Sequence, residues 1–581
     1  MDTDYFILKE TLMLNMRKSS FMLAILTIIS LSLIIVPVPV TRATGTPAYT
    51  VTELSLGGES YAYFDRVSGQ VVGYSDTSSG GNHAFLYDST GLHDLSLGGA
   101  YSSITKINAA GQIIGRSRTS GGQNHAFLYS GGTMTELSLG GSNSIAKEIT
   151  SSGVVIGEAE DSNGDSYAFV YNSTGMHELS LGGTASNVKD TNVSGQIVGQ
   201  ALTSTGADHS YLYSGGTVTD LGTLGGSFTH AEYINASGQI AGSSQNADGE
   251  EHAFLYDGGT MTDLGTLGGT LSFASGINAS GDVIGQSDTS GATAQLAFVY
   301  NSTGMHELSL GGTASHPMIL TDAGQVLGDA ETTATDPETS SPIRHAFLYN
   351  STGMHELSFG GGNSDGYGIN SSGQVIGRSY KVDGTSHAFL YSGGTLHDLG
   401  TLAGPNSSAD NFTASGKITG SSQTVVVDGY EDVYHSHSFM YSSSTMTDIS
   451  LGYTASDSYI LMVNGSDNVL GYEYTSGGDE RAFVYDGTGA HELLLSGSYS
   501  FPGYINGTGQ AVGSSEITGG AIHALVFSDG VTQDLNDLID SNSGWELSTG
   551  DDISDTGLIL GTGNSVNGDY RAFLLTPVTT P

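Results

Sequence analysis

The sequence predicts an all-β protein, a β-propeller built from twelve four-stranded repeats of about 42–50 residues. The first observation is self-similarity. The pentad His125-Ala126-Phe127-Leu128-Tyr129 recurs in register, with its central residue at Phe85, Phe127, Phe169, Tyr211, Phe254, Phe298, Phe347, Phe389, Phe439, Phe483, Leu525 and Phe573. The second is the content of each unit. Four short runs rich in β-formers, separated by Gly- and Asn-bearing turns, fill it and leave no room for a helix. The third is that the pentads are almost continuously apolar, as strands covered on both faces are. A sheet of about 42 residues cannot bury both faces alone, so the units must stack on copies of themselves. Radial stacking gives a propeller; a parallel β-helix is the alternative, with a period usually shorter and more uniform.

From the N-terminus, Arg17 and Lys18 precede an apolar run, Phe21 to Val36, followed by Pro37, Pro39 and the small-residue site Thr41-Arg42-Ala43. Basic, apolar and small-residue regions in that order predict a secretory signal over 1–43. The acidic stretch before Met16 fits no such signal, so Met16 is the expected start; a retained anchor is the rival reading. With the signal cleaved, no membrane insertion is expected.

Within a unit the pentad is one strand and a segment such as Thr133-Met134-Thr135-Glu136-Leu137 the next. A short piece before an Asn turn is the third, and a Gln-Val-Ile-Gly type segment the fourth. Asn163-Gly164, Asp248-Gly249, Asp383-Gly384 and Asn567-Gly568 lie where a hairpin needs positive φ. One glycine, represented by Gly73, Gly115 and Gly157, recurs in all twelve units and asks for close backbone approach or left-handed backbone.

The ends complement each other. Tyr49 to Leu54 is a post-pentad strand lacking its pentad, and Arg571 to Leu575 a pentad lacking the strand that follows. Because rings usually hold four to eight blades, two six-bladed rings are expected, over 46–300 and 301–577 with a tail at 578–581. Five plus seven is the second choice, and a single ring would instead pair residues near 50 with residues near 573.

Composition narrows the function. With 59 acids against 16 bases, a formal charge of −43 and no Cys, the chain is no nucleic-acid binder, disulfide scaffold or thiol enzyme. It contains no Gly-x-Ser-x-Gly elbow, His-Glu-x-x-His or Walker-type loop. Eleven Asn-x-Ser/Thr sequons lie mostly in recurrent turns, whose composition accounts for them.

The unit Asp220 to Gly226, Ile234 to Gln239, His252 to Tyr256 and Asp263 to Gly269 resembles the HAF family of extracellular repeats, named for its His-Ala-Phe. The tail, with Asp534-Leu535-Asn536, Ser543-Gly544-Trp545 and Arg571 to Pro577, is similar to the way such proteins end. The resemblance covers 49–577 and implies secretion or surface display and a propeller fold; it carries over no catalytic residue. This chain departs from the pattern in ending its pentads with Tyr where Trp is common, and in having no sorting motif after Pro577.

An acid stands at one position of every unit, Glu53, Asp94 and Glu136 being the first three. A His opens eight pentads: His83, His125, His209, His252, His345, His387, His437 and His523. A second set, including His93 and His355, directly precedes the acid. Repetition argues for framework pairs, since catalysis needs one asymmetric site. Departures from the repeat are better candidates. Two insertions, 329–344 and 421–436, occupy the same loop type and supply the candidate binding residues. These are Asp329, Glu331, Asp336 and Glu338 in the first, and Asp428, Tyr430, Glu431, Asp432, Tyr434 and His435 in the second. Calcium is considered for them and for Asp161-Ser162-Asn163-Gly164-Asp165, which lacks the Gly and Glu of a complete calcium loop; zinc is considered for His435 with His437 and Glu431. No cofactor is expected. The predicted function is a secreted or cell-surface, non-catalytic scaffold or recognition and adhesion module for an extracellular protein or glycan. A secreted propeller enzyme acting on glycans is the alternative.

Overall fold

The computed structural model describes residues 47–578 apart from 292–293, 337–338, 429–430 and 454–455. The expected signal over 1–43 and the last three residues of the tail lie outside the described residues. Among the described residues there are forty-eight strands, one short 3-10 turn at Leu535–Asp537, and no helix long and apolar enough to cross a membrane.

The strands form twelve four-stranded antiparallel blades, numbered here 1 to 12, of which the first six are joined by single parallel pairings between neighbours into one 24-stranded sheet. Blade 1 spans 57–94, blade 2 98–137, blade 3 140–179 and blade 4 182–220. Blades 5 to 8 span 225–263, 268–308, 311–357 and 364–400. Blades 9, 10 and 11 span 407–448, 457–492 and 500–534, and blade 12 joins 546–577 to 49–54. In each blade the piece before the Asn turn comes first, then the Gln-Val-Ile-Gly strand, the pentad third and the acid-bearing strand fourth. The four segments read from the sequence are therefore the four strands.

Each blade packs on the next, and blade 12 packs on blade 1. Recurrent contacts make the seams. The backbone N–H of Ala126 leaves its sheet and donates to Ser144 Oγ on the next blade at 2.8 Å. Ala84 does the same with Ser102 and Ala346 with Ser364, both at 2.9 Å. Ala572 donates to Ser60 at 2.9 Å, joining the last blade to the first. Turn asparagines add a second tie: Asn108 donates to the Thr150 carbonyl at 2.9 Å and Asn235 to that of Asn278 at 2.9 Å. Between these ties the pentad aromatics, Phe85, Phe127 and Phe169 among them, are fully buried.

The recurrent glycine serves close approach. A Cβ on Gly115 would lie 2.0 Å from the Ser103 carbonyl oxygen and 2.5 Å from the Phe127 ring.

Ring closure differs from expectation. Two rings divided at 300/301 would place strand Tyr49–Leu54 on strand Gln295–Asn301. Instead Gln295–Asn301 pairs with its own hairpin partner Gly304–Leu308. Tyr49–Leu54 completes blade 12, with Thr50 opposite Thr576 and Glu53 opposite Phe573. The reason is local. A two-residue turn covers the edge of blade 6 at little entropic cost, and blade 12 alone lacks a fourth strand of its own. The described residues accordingly form one compact unit, in cyclic order, in place of the expected 46–300 and 301–577 domains.

Candidate functional site

The repeated polar residues are framework. All eight pentad histidines turn Nδ1 toward the acid of their own blade, as in His83 with Asp94 at 2.9 Å, His387 with Asp398 at 2.7 Å and His523 with Asp534 at 2.6 Å. His83 and His345 also use Nε2 to reach a carbonyl at the start of the next blade, at 2.8 and 3.0 Å. Four pentads open without His. In two an Arg serves instead, Arg481 meeting Glu492 at 2.9 Å and Arg571 meeting Glu53 at 3.5 Å across the ring closure, while Tyr167 and Leu296 fill the other two. Members of the second histidine set pack against an aromatic ring of the next blade. His355 bonds Thr352 at 2.7 Å and its ring lies 5.7 Å from Tyr391 of the next blade.

The two insertions lengthen the hairpins between the second and third strands of blades 7 and 9, Val326–Thr335 with Pro342–Asn350 and Ile418–Asp428 with Glu431–Ser442. Blade 8 stands between them. In the first, Asp329 and Glu331 are already neutralised. Arg344 Nε donates to Asp329 at 2.8 Å, Arg344 Nη1 lies 3.4 Å from Glu331, and His316 lies 3.3 Å from Asp329. Glu331 also accepts from Thr313 at 2.8 Å. Asp336 caps the turn, accepting from the Thr339 N–H at 2.8 Å. Glu338 lies outside the described residues.

In the second hairpin, Asp428 and Glu431 are backbone partners in the antiparallel register, Tyr430 lies outside the described residues, and Asp432 and Tyr434 are exposed. His435 turns to Asp457 of blade 10 at 3.6 Å, whereas His437 belongs to Asp448 at 2.7 Å, so the two rings serve different carboxylates. The described residues contain no group of three His, Asp or Glu side chains arranged to hold a metal ion. Asp161 likewise caps its own turn, accepting from the N–H groups of Asn163 and Asp165 at 2.8 and 3.0 Å. Among the described residues the insertions thus supply carboxylates, most of them already paired in the first hairpin, and the exposed Asp432 and Tyr434 in the second.

The sequence reading passed over the seam between blades 9 and 10. Its buried apolar residues reduce to Met440, Ile449 and Val469, and two cavities open along it. The larger, about 520 Å³, is lined by Asp410, Thr419, Ser421, Ser436 and Tyr459. Asp410 is open to solvent on one side, and desolvation on the others pushes its carboxyl up. It is the one carboxylate of that lining, so the cavity lacks the acid pair that glycoside hydrolysis uses. The smaller, about 200 Å³, has Lys417 and Asp467 in its wall. The available signal is in the repeat: eleven units carry Gly at the position of Asp467.

No protein-family model matches the chain. No curated protein matches it. Among solved structures it is similar to the tricorn protease, at 11% identity and TM-score 0.27, covering 88% of this chain and 57% of that one. A puromycin-hydrolyzing peptidase of Mycobacterium tuberculosis matches at 12% identity and TM-score 0.22, over 58% of this chain and 56% of that one. An extracellular domain from a B. thetaiotaomicron protein described as a hybrid two-component system matches at 10% identity and TM-score 0.20, over 89% and 74%. The chain spans little more than half the length of the first two.

Proposed function

We propose that the protein is an extracellular, non-catalytic recognition module of HAF type, in which a rigid ring of blades presents the two long hairpins of blades 7 and 9. One observation carries this reading. The eight pentad His side chains are consumed by pairing with the acids of their own blades, while Tyr434 and Asp432 are exposed on a hairpin that the repeat does not require. Secretion rests on the signal pattern of residues 1–43 and on the resemblance of the repeat.

The test grafts the ordinary turn of this same chain. Residues 120–123 join Thr119 to Asn124 in blade 2, and Thr332 and Thr424 occupy the place of Thr119. Replacing 333–343 and 425–435 with Ser-Gly-Gly-Gln keeps every blade. The mature chain and this variant are screened on a glycan array and against extracellular protein extracts, with and without calcium. The reading expects binding by the mature chain and its loss in the variant; equal binding by both overturns it.

A further inference from the structure

We propose that the smaller cavity between blades 9 and 10 is a binding site for a neutral sugar, with Asp467 accepting from one hydroxyl and Lys417 donating to its neighbour. The argument begins with two linked departures from the repeat. Eleven units place Gly at the turn position, and seven place Gln directly after it. Five of those seven Gln reach the Gly of the next blade: a Cβ on Gly111 would lie 2.7 Å from Gln70, and one on Gly153 2.5 Å from Gln112. At this seam Lys417 stands in the Gln position and Asp467 in the Gly position. Lys417 Nζ lies 3.1 Å from Asp467 Oδ2, which also accepts from Ser415 Oγ at 2.6 Å.

Asp467 is costly where it stands. Its φ is 64°, a left-handed conformation that a residue with a Cβ adopts only at some strain. The residue is 9% exposed, and its Oδ1 is buried with no hydrogen-bond partner in the protein. Burial pushes the carboxyl up, but hydrogen bonds from Ser415, Thr413 and Lys417 outweigh it and hold the group below the ordinary carboxylate range. Asp467 lines the cavity, and its unpaired Oδ1, closed to water as the side chain stands, gains a donor when the carboxylate turns toward the cavity.

The lining selects the donor's chemistry. A metal ion or an amine on Oδ1 would be repelled by the adjacent Lys417 ammonium. An anion would face Asp467 and also Asp486 in the same wall. A neutral polyol meets both groups: one hydroxyl donates to Oδ1 while the next accepts from Nζ. Asn468, Ser466 and Thr447 add neutral polar partners. A volume of about 200 Å³ suits one sugar unit rather than a drug-sized ligand.

This deepens the recognition reading without using the hairpins. Ligand-observed saturation-transfer NMR on the mature chain uses free D-glucose, D-galactose, D-mannose and N-acetyl-D-glucosamine as probes. At least one is expected to bind, and K417Q/D467G, which restores the common repeat, is expected to weaken it about tenfold or more. The same variant should melt no lower than the parent, since it removes the strained carboxylate. Should it fail to fold, Asp467→Asn keeps the side chain's bulk and is expected to weaken binding similarly. Binding of no probe, binding unchanged in a folded seam variant, or saturable calcium binding lost with D467N overturns the proposal. Sugar binding lost on hairpin replacement but kept in K417Q/D467G also overturns it, while leaving the recognition reading intact.

Discussion

Substituting Gly115 by Ala probes how tightly the blades are built. Gly115 lies opposite Ile104 of the first strand of its blade and Phe127 of the pentad. The new methyl would meet the Ser103 carbonyl oxygen at 2.0 Å and the Phe127 ring at 2.5 and 2.7 Å. Two of three obstacles belong to a fully buried ring and one to backbone, so relief requires moving a strand, not rotating a side chain. Overpacking of this kind costs about 1–3 kcal/mol, and the backbone obstacle places G115A at the upper end, about 3 kcal/mol. Gly121 is the control: its added Cβ has nothing nearer than 3.6 Å and needs no positive φ. G121A should be neutral or stabilising by about 0.4–1 kcal/mol. The assay is urea unfolding followed by far-UV circular dichroism, with intrinsic fluorescence as a second probe so that two-state behaviour is checked. Equal unfolding midpoints for G115A and G121A would refute the reasoning.

The blade ties and the His–acid pairs are testable in the same way. Ser144 is 1% exposed, accepts from Ala126 at 2.8 Å and donates to the Leu137 carbonyl at 2.5 Å, so S144A strands a buried N–H and should cost about 1–3 kcal/mol by urea unfolding. The exposed-side control S142A should change stability by under about 0.5 kcal/mol. For His437, burial lowers the pKa but the Asp448 hydrogen bond and charge outweigh it, leaving it raised, while Asp448 is lowered. The histidine's contribution is complete below its unfolded pKa of about 6.5 and is lost as pH rises through the raised value. The aspartate's is present above its unfolded pKa of about 3.9 and is lost as pH falls through the lowered value. NMR titration should place the His437 midpoint above that of a free histidine, and D448N should bring it down; an unchanged midpoint in D448N contradicts the pairing.

Much of this was legible because the repeat states each feature many times. The four strands of a unit, the close approach at Gly115 and the pairing of pentad His with blade acid are local, lying within one blade. Closure was not legible, because Tyr49–Leu54 is an equally good fourth strand for any pentad strand with a free edge. Which edge is free is decided by the hairpins of all other blades, Asn301-to-Gly304 included. The candidate acids of blade 7 misled for a related reason. Asp329 and Glu331 look unpaired along the chain, but their partner Arg344 sits across the hairpin and His316 on the first strand of the blade. Lys417 and Asp467, 50 residues apart in the chain, become neighbours only when blade 9 stacks on blade 10.

Strand Tyr49–Leu54 on strand Tyr570–Pro577 is the joint on which the single closure depends. The chain has no Cys, so an engineered pair reports without interference. Thr50 and Thr576 face each other in the antiparallel register, a placement that a disulfide can span. Oxidised T50C/T576C should lose both free thiols and remain a monomer by intact-mass analysis. T50C/N301C, the pair that two separate six-bladed rings would bring together, should keep both thiols. A disulfide in the second pair with free thiols in the first would contradict the single ring.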